Sequence, residues 1–170
     1  RILAPECDIR INHGLFPCER VLARPLGCML RTMVASEKYL SEKGLPKTPF
    51  DLEQHNLLGG NDLIADSKLV LRSKNEVITV PYFPRLRLKD HVAARTAAIC
   101  GLGISVHAFQ YDTWEYIRRG QLCEVLPEWK PEASPVSLLL PQNKTLSSAS
   151  RTLADFIEER WKSHPHLTHD

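Results

Sequence analysis

Two periods alternate along the chain, and the clearest change between them falls at residues 90–106, DHVAARTAAICGLGISV. Its first half repeats small and apolar residues at three- and four-residue spacing and predicts a helix. Asp90 can cap that helix by accepting hydrogen bonds from the free N–H groups of the first turn. Val92, Thr96 and Ile99 are expected on its inner side, flanked by Ala93, Ala97 and Cys100. Gly101 supplies a left-handed residue to end it, Gly103 a tight turn, and residues 104–106 a buried strand.

The same reading extends to the rest of the chain. Residues 7–12 alternate as a strand that ends at the turn signal His13-Gly14. Residues 21–35 hold two apolar stretches interrupted at Pro25-Leu26-Gly27, and the second predicts a strand over 29–35. Ser36 caps a helix with Tyr39 and Leu40 inward, stopped by Gly44; residues 49–54 form a helical turn. A strand at 55–58 leaves through Gly59-Gly60. Leu63-Ile64, then 68–72 and 76–80, read as a meander turning at Ser73-Lys74-Asn75, and Pro81 and Pro84 mark a crossing segment. Downstream come a helix over 109–119 with Trp114 and Ile117 inward, strands at 121–126 and 136–140, and a helix capped by Ser147. Leu153, Phe156, Ile157 and Trp161 give that last helix an apolar stripe. Strands alternating with helices predict an α/β fold. The expected division is lobe one at 1–61, lobe two at 62–133, a return to lobe one with its helix at 134–162, and a tail at 163–170.

Composition narrows the function. The 170 residues are 43% hydrophobic and 25% charged, as in an ordinary globular chain, and no apolar run approaches a membrane span. A net charge of +2 does not suggest a nucleic-acid groove in this piece. The chain begins at Arg1 without an initiator Met and reads as a fragment. Its five cysteines form no CxxC pair, which argues against a disulfide scaffold or a zinc site and for a reduced, cytoplasmic setting. Cys100 and Cys123 are the candidate redox thiols. Enzyme motifs are absent: there is no G-x-S-x-G elbow, HExxH, P-loop or GxGxxG, and Gly101-Leu102-Gly103 closes a helix instead of opening one. No catalytic residue, metal or cofactor is expected.

The order of several short motifs carries more. Residues 34–40 (VASEKYL), Gly44-Leu45-Pro46, and Asp51-Leu52 with His55 resemble the ASPEYL…G.P…DL..H run of LysR-type transcriptional regulators. Ala97-Ala98 through Gly101-Leu102-Gly103-Ile104, then Gly120-Gln121-Leu122, Val125-Leu126-Pro127 and Trp129, and the helix from Arg151 to Glu159 continue the resemblance, which covers roughly residues 7–161. It implies the C-terminal effector-binding domain of a bacterial regulator, with a two-lobed periplasmic-binding-protein-like (type 2) fold and a cleft between the lobes. It also implies an N-terminal winged helix-turn-helix, a linker helix, and a first strand and helix of lobe one, all preceding Arg1. Expected partners are a small anionic effector, DNA through that preceding part, further copies of the chain as dimer or tetramer, and RNA polymerase as a candidate contact. A redox- or pH-responsive switch, or a solute receptor of a transporter, are the alternatives. Two positions depart from the family pattern: Val106-His107 replaces Leu-Pro, and Lys89-Asp90 replaces Asn-Asp.

Candidate ligand residues follow from the helix start and the strand ends. Arg87, Lys89, Asp90 and His91 crowd the amino end of the helix, where N–H groups and cations suit a carboxylate. His107 follows the strand of the same unit. Asn12 and His13 end the first strand of the other lobe, and the carboxyl-end rule for open α/β sheets puts them across the cleft.

Overall fold

The computed structural model describes residues 8–14, 21–60, 68–88, 90–141, 146–164 and 167–168. In chain order these form β1 (Arg10–His13), β2 (Val21–Met29), β3 (Arg31–Ala35), α1 (Glu37–Lys43), a 3₁₀ turn (Pro49–Gln54), β4 (Leu57–Gly60), β5 (Lys68–Arg72), β6 (Val77–Pro81), β7 (Leu86–Leu88), α2 (His91–Ile99), β8 (Ile104–Phe109), α3 (Gln110–Arg118), β9 (Cys123–Val125), β10 (Lys130–Pro131), β11 (Ser134–Pro141), α4 (Ser148–Lys162) and β12 (Leu167–Thr168). Cys7, Cys18, Asn61, Lys89, His166, His169 and the strand expected at Leu63-Ile64 lie outside the described residues.

The chain divides into two compact units, residues 1–30 with 134–170, and residues 31–133. The break expected at residue 61 falls inside the second unit. The reason lies in strand pairing: β3 pairs with β8 and β9, and β4 pairs with β7 and β8, so both belong to one sheet. The strand expected over 29–35 is accordingly two strands, divided at Leu30.

In the first unit an antiparallel sheet runs β1-β11-β2-β12. Contrary to expectation, β2 passes through Pro25-Leu26-Gly27 without stopping. Pairing steps from Gly27–Val136 to Pro25–Ser137, so Leu26 has no opposite residue, and Gly27 takes φ +124°. Such a bulge absorbs an extra residue without ending the strand. On the other side of β2, β12 pairs only with Cys28 and Met29. Ser147 caps α4 as predicted, its hydroxyl accepting from the Ser150 N–H at 3.0 Å. The apolar stripe of α4 is less enclosed than its spacing implies: Ala154 is buried, whereas Leu153 and Phe156 stay about half exposed.

In the second unit the central sheet runs β7-β4-β8-β3-β9, with β7, β4 and β8 parallel and β3 antiparallel to β8. On one face Val34, Leu58 and Ala108 meet Ala97 and Ala98 of α2, with Tyr116 and Ile117 of α3 beside them. On the other, Met33, Ala35, Leu57, Ile104, Val106 and Val125 pack against Tyr39 of α1, Leu52 of the 3₁₀ turn, and Leu69, Leu71 and Val80 of a small sheet β10-β5-β6.

The second unit also corrects which faces are buried. Helix α2 buries Ala94, Ala97 and Ala98, while Val92 and Thr96 face out. Alanines bring the helix axis close to the sheet, and Thr96 spends its hydroxyl on the Val92 carbonyl at 2.9 Å. Gly103 serves a close approach instead of a turn: a Cβ there would lie 2.1 Å from the Asn56 carbonyl oxygen. That oxygen also accepts from the Ile104 N–H at 2.8 Å, which fixes β8 beside β4. Trp114 is exposed on α3, which buries Thr113 in its place.

Candidate functional site

The sheet of the second unit gathers polar side chains at the carboxyl ends of its parallel strands. Along β4, Leu57 belongs to the face with Tyr82 and Leu58 to the face with α2, so Gly59 returns to the Tyr82 face. Arg87 of β7 lies beside Gly59 in register. Tyr82, almost fully buried, lies across Gly59: a Cβ on this glycine would come within 1.4 Å of the Tyr82 hydroxyl. Only glycine leaves room for that ring.

Strand β8 contributes His107 through an irregularity. Thr32 pairs with Ala108 and Val34 with Ser105, so Val106 and His107 together oppose the single residue Met33. Strict alternation would send His107 to the α2 face and Ala108 to the other. Instead Ala108 packs under α2, and His107 meets the edge of Tyr82 with ring centroids 5.6 Å apart. A two-against-one bulge re-aims a side chain in this way. In β3, Arg31 shares the face of Met33 and Ala35 by alternation, opposite Phe109. Its guanidinium lies 5.5 Å from the centre of the Phe109 ring. Across β7, β4, β8 and β3 one face therefore presents Arg87, Gly59 under Tyr82, His107 and Arg31. Three strand spacings separate the outer two, roughly 14 Å.

The electrostatics of this row are unusual. His107 is half-buried as a residue, but both ring nitrogens are enclosed and neither has a hydrogen-bond partner among the described residues; the Tyr82 hydroxyl is in the same position. Desolvation, followed by the positive charge of Arg31, pushes His107 down to about 3, so the imidazole is neutral. Burial pushes Tyr82 up to about 12, with Arg87 opposing. Two cations thus flank two neutral groups, each able to donate and to accept. An unmet buried polar group costs about 1–3 kcal/mol, so each calls for a physical explanation.

At the same end, Asp90 caps α2 by accepting from the Ala93 N–H at 2.9 Å. Its carboxylate occupies the helix start, which offers an anion less there than the sequence suggests. His91 packs edge-on against Phe109, with centroids 5.0 Å apart, and Tyr111 stacks on Phe109 at 5.6 Å. Behind them Arg95 pairs with Asp112 and lies over the Tyr116 ring at 4.6 Å, tying α2 to α3. Arg87, Asp90, His91 and His107 are thus brought to one end of one sheet. Asn12 and His13 end β1 in the first unit, where Asn12 Nδ2 donates to the His13 carbonyl at 3.3 Å. That sheet is antiparallel, so the carboxyl-end rule that singled them out has no purchase there. Cys100 is an exposed free thiol ending α2, and Cys123 a half-buried one on β9. No metal-binding cluster occurs among the described residues.

Sequence reasoning did not single out Tyr82 and Arg31, which the fold places in this row. The one trace of Tyr82 is the pair Gly59-Gly60, a run without side chains inside a strand. Arg31 carried no signal until β3 was known to begin there.

The model of the LysR substrate binding domain matches residues 1–162. The chain belongs to this family. It has the type 2 periplasmic-binding-protein-like fold expected from its sequence and is an effector-binding domain of the LysR type. It is 32% identical over 148 residues to an uncharacterized HTH-type transcriptional regulator, YhjC, of Escherichia coli K12, covering 86% of this chain and 49% of that protein. It is 23% identical over 162 residues to SinR, a probable HTH-type transcriptional regulator of Salmonella typhimurium, covering 94% and 51%. The chain thus spans about half the length of the curated relatives it matches. Among solved structures, the full-length Vibrio cholerae virulence activator AphB superposes with a TM-score of 0.77 at 26% identity, covering 95% of this chain and 53% of AphB. The regulatory domain of AphB from Vibrio vulnificus gives 0.76 at 26% identity, covering 93% and 78%. No helix among the described residues is long and apolar enough to cross a membrane.

Proposed function

We propose that this LysR-type domain senses a small anionic molecule through Arg87, Tyr82, His107 and Arg31, and that binding controls transcription through a DNA-binding part outside this chain. The observation that carries the reading is the row itself: two guanidiniums flank two enclosed neutral groups that lack hydrogen-bond partners among the described residues. Guanidinium groups recognise carboxylates by paired N–H donors, and the neutral imidazole and phenol add directional bonds without adding charge. Asp90 holds α2 in place, and His91 and Tyr111 border the row.

The domain acts by binding, without catalysis. What reaches the DNA-binding part is the difference in ligand affinity between conformations, not total affinity. The same reading places the regulator in the cytoplasm as a dimer or tetramer, with RNA polymerase as a contact of the whole protein.

A thermal-shift screen of the 170-residue chain against small carboxylates, phosphates and neutral metabolites tests this. A ligand at a hundred times its Kd stabilises a fold by about 2.7 kcal/mol, a readily measured shift. Anions are expected to raise the melting temperature, and Arg87→Ala and Arg31→Ala to weaken the effect. Shifts from neutral compounds alone, or anion shifts that survive both substitutions, would overturn the reading.

A further inference from the structure

The hydrogen-bonding inventory of the row constrains what the effector carries. Guanidiniums only donate, and a carboxylate only accepts. Neutral His107 differs: one ring nitrogen donates and the other accepts. The Tyr82 hydroxyl belongs to the ring packed against His107, but the two rings meet edge-on at 89° and neither group has a hydrogen-bond partner among the described residues. A simple carboxylate could satisfy Arg87, Arg31, the Tyr82 O–H and the His107 N–H, yet it would leave the imidazole lone pair enclosed and unmet.

Resting on the anion-sensing reading above, we propose that the effector is a hydroxy acid, its hydroxyl donating to the unprotonated ring nitrogen of His107 while its carboxylate takes the guanidinium donors. The bulge in β8 is what makes this possible. With regular alternation His107 would lie on the α2 face, away from Tyr82 and Gly59, and the row would lose its imidazole acceptor and keep only the Tyr82 oxygen beside the guanidinium donors. Val106-His107, the pair that departs from the Leu-Pro pattern, is the pair that forms the bulge. One replacement supplies a residue with a lone pair, and the bulge in β8 aims it.

Matched pairs of acids that differ by one hydroxyl supply the test. Affinities of the chain for 2-hydroxybutanoate and butanoate, and for salicylate and benzoate, are measured by calorimetry at pH 7.5. Leaving a buried acceptor unmet costs enough to separate the members of a pair by roughly ten- to a hundred-fold. The hydroxylated member of at least one pair is expected to bind tighter by that factor. His107→Phe should bring the pair together, and His107→Gln, which keeps an acceptor, should restore part of the difference. Arg87→Ala should weaken both members alike and leave their ratio unchanged. Equal affinity within every pair that binds, or a ratio untouched by His107→Phe, overturns the inference and leaves anion sensing standing. Failure of all four acids to bind overturns it as well; whether anion sensing survives is then decided by the thermal-shift screen, where other anions still raise the melting temperature or none does.

Discussion

Enclosing His107 in its neutral form gives the fold a pH dependence that a single substitution removes. Unfolded, the imidazole takes its ordinary value of 6.5; folded, burial and Arg31 hold it near 3. Between those values the unfolded chain binds a proton that the native chain does not, so stability rises with pH across this window and falls as the solution is acidified. The slope approaches 1.4 kcal/mol per pH unit well inside the window. Integrated from pH 7.5 to pH 5.0, this one group removes about 2 kcal/mol, because the native imidazole is still unprotonated at the lower value. The other groups on the same face are Tyr82, held far above this range, and guanidiniums, which stay charged throughout it. Urea unfolding of the wild-type chain and of His107→Gln at pH 7.5 and 5.0 isolates the effect, since all other titrations cancel in the difference. Glutamine is expected to destabilise relative to wild type at pH 7.5, and its disadvantage should shrink, or reverse, by about 2 kcal/mol at pH 5.0. The same difference at both pH values would refute the burial of a neutral imidazole at this position.

Two further substitutions probe the frame around the row. Gly59→Ala forces a methyl into the space of the Tyr82 hydroxyl, and both groups are enclosed, so a loss of about 1–3 kcal/mol is expected in urea unfolding. The same variant should lose its thermal shift with anions, because Tyr82 is displaced from the row. Asp90→Ala removes the cap of α2, with an expected cost of about 1 kcal/mol, while Asp90→Ser, which still caps, should recover most of it.

The fold was legible wherever a local signal sufficed. Caps at Ser36, Asp90 and Ser147, and stops at Gly44 and Gly101, are set by one or two residues acting on their own backbone, and each lies where the sequence puts it. The errors share a cause: they need knowledge of a distant partner. Whether Val92 or Ala94 faces inward depends on how closely the helix approaches Val34 and Leu58, which favours alanines over the larger residues that a hydrophobic stripe selects. The unit boundary at Leu30 is fixed by β3 joining β8 and β9, a pairing about 70–90 residues away in sequence. The candidate site proposed above was half readable for the same reason. Arg87, Asp90, His91 and His107 are marked by proximity to one helix start and one strand end. Tyr82 and Arg31 enter only through strand order, and the aim of His107 only through the extra residue in β8.

The decisive measurement is nuclear magnetic resonance of the ¹⁵N-labelled chain during titration with whichever acid gives the largest thermal shift. Saturable changes are expected at the backbone amides of Gly59, Arg87 and Arg31 and at the ring nitrogens of His107, all with one Kd. Saturation with none of these signals moving would contradict an anion site on this face of the sheet.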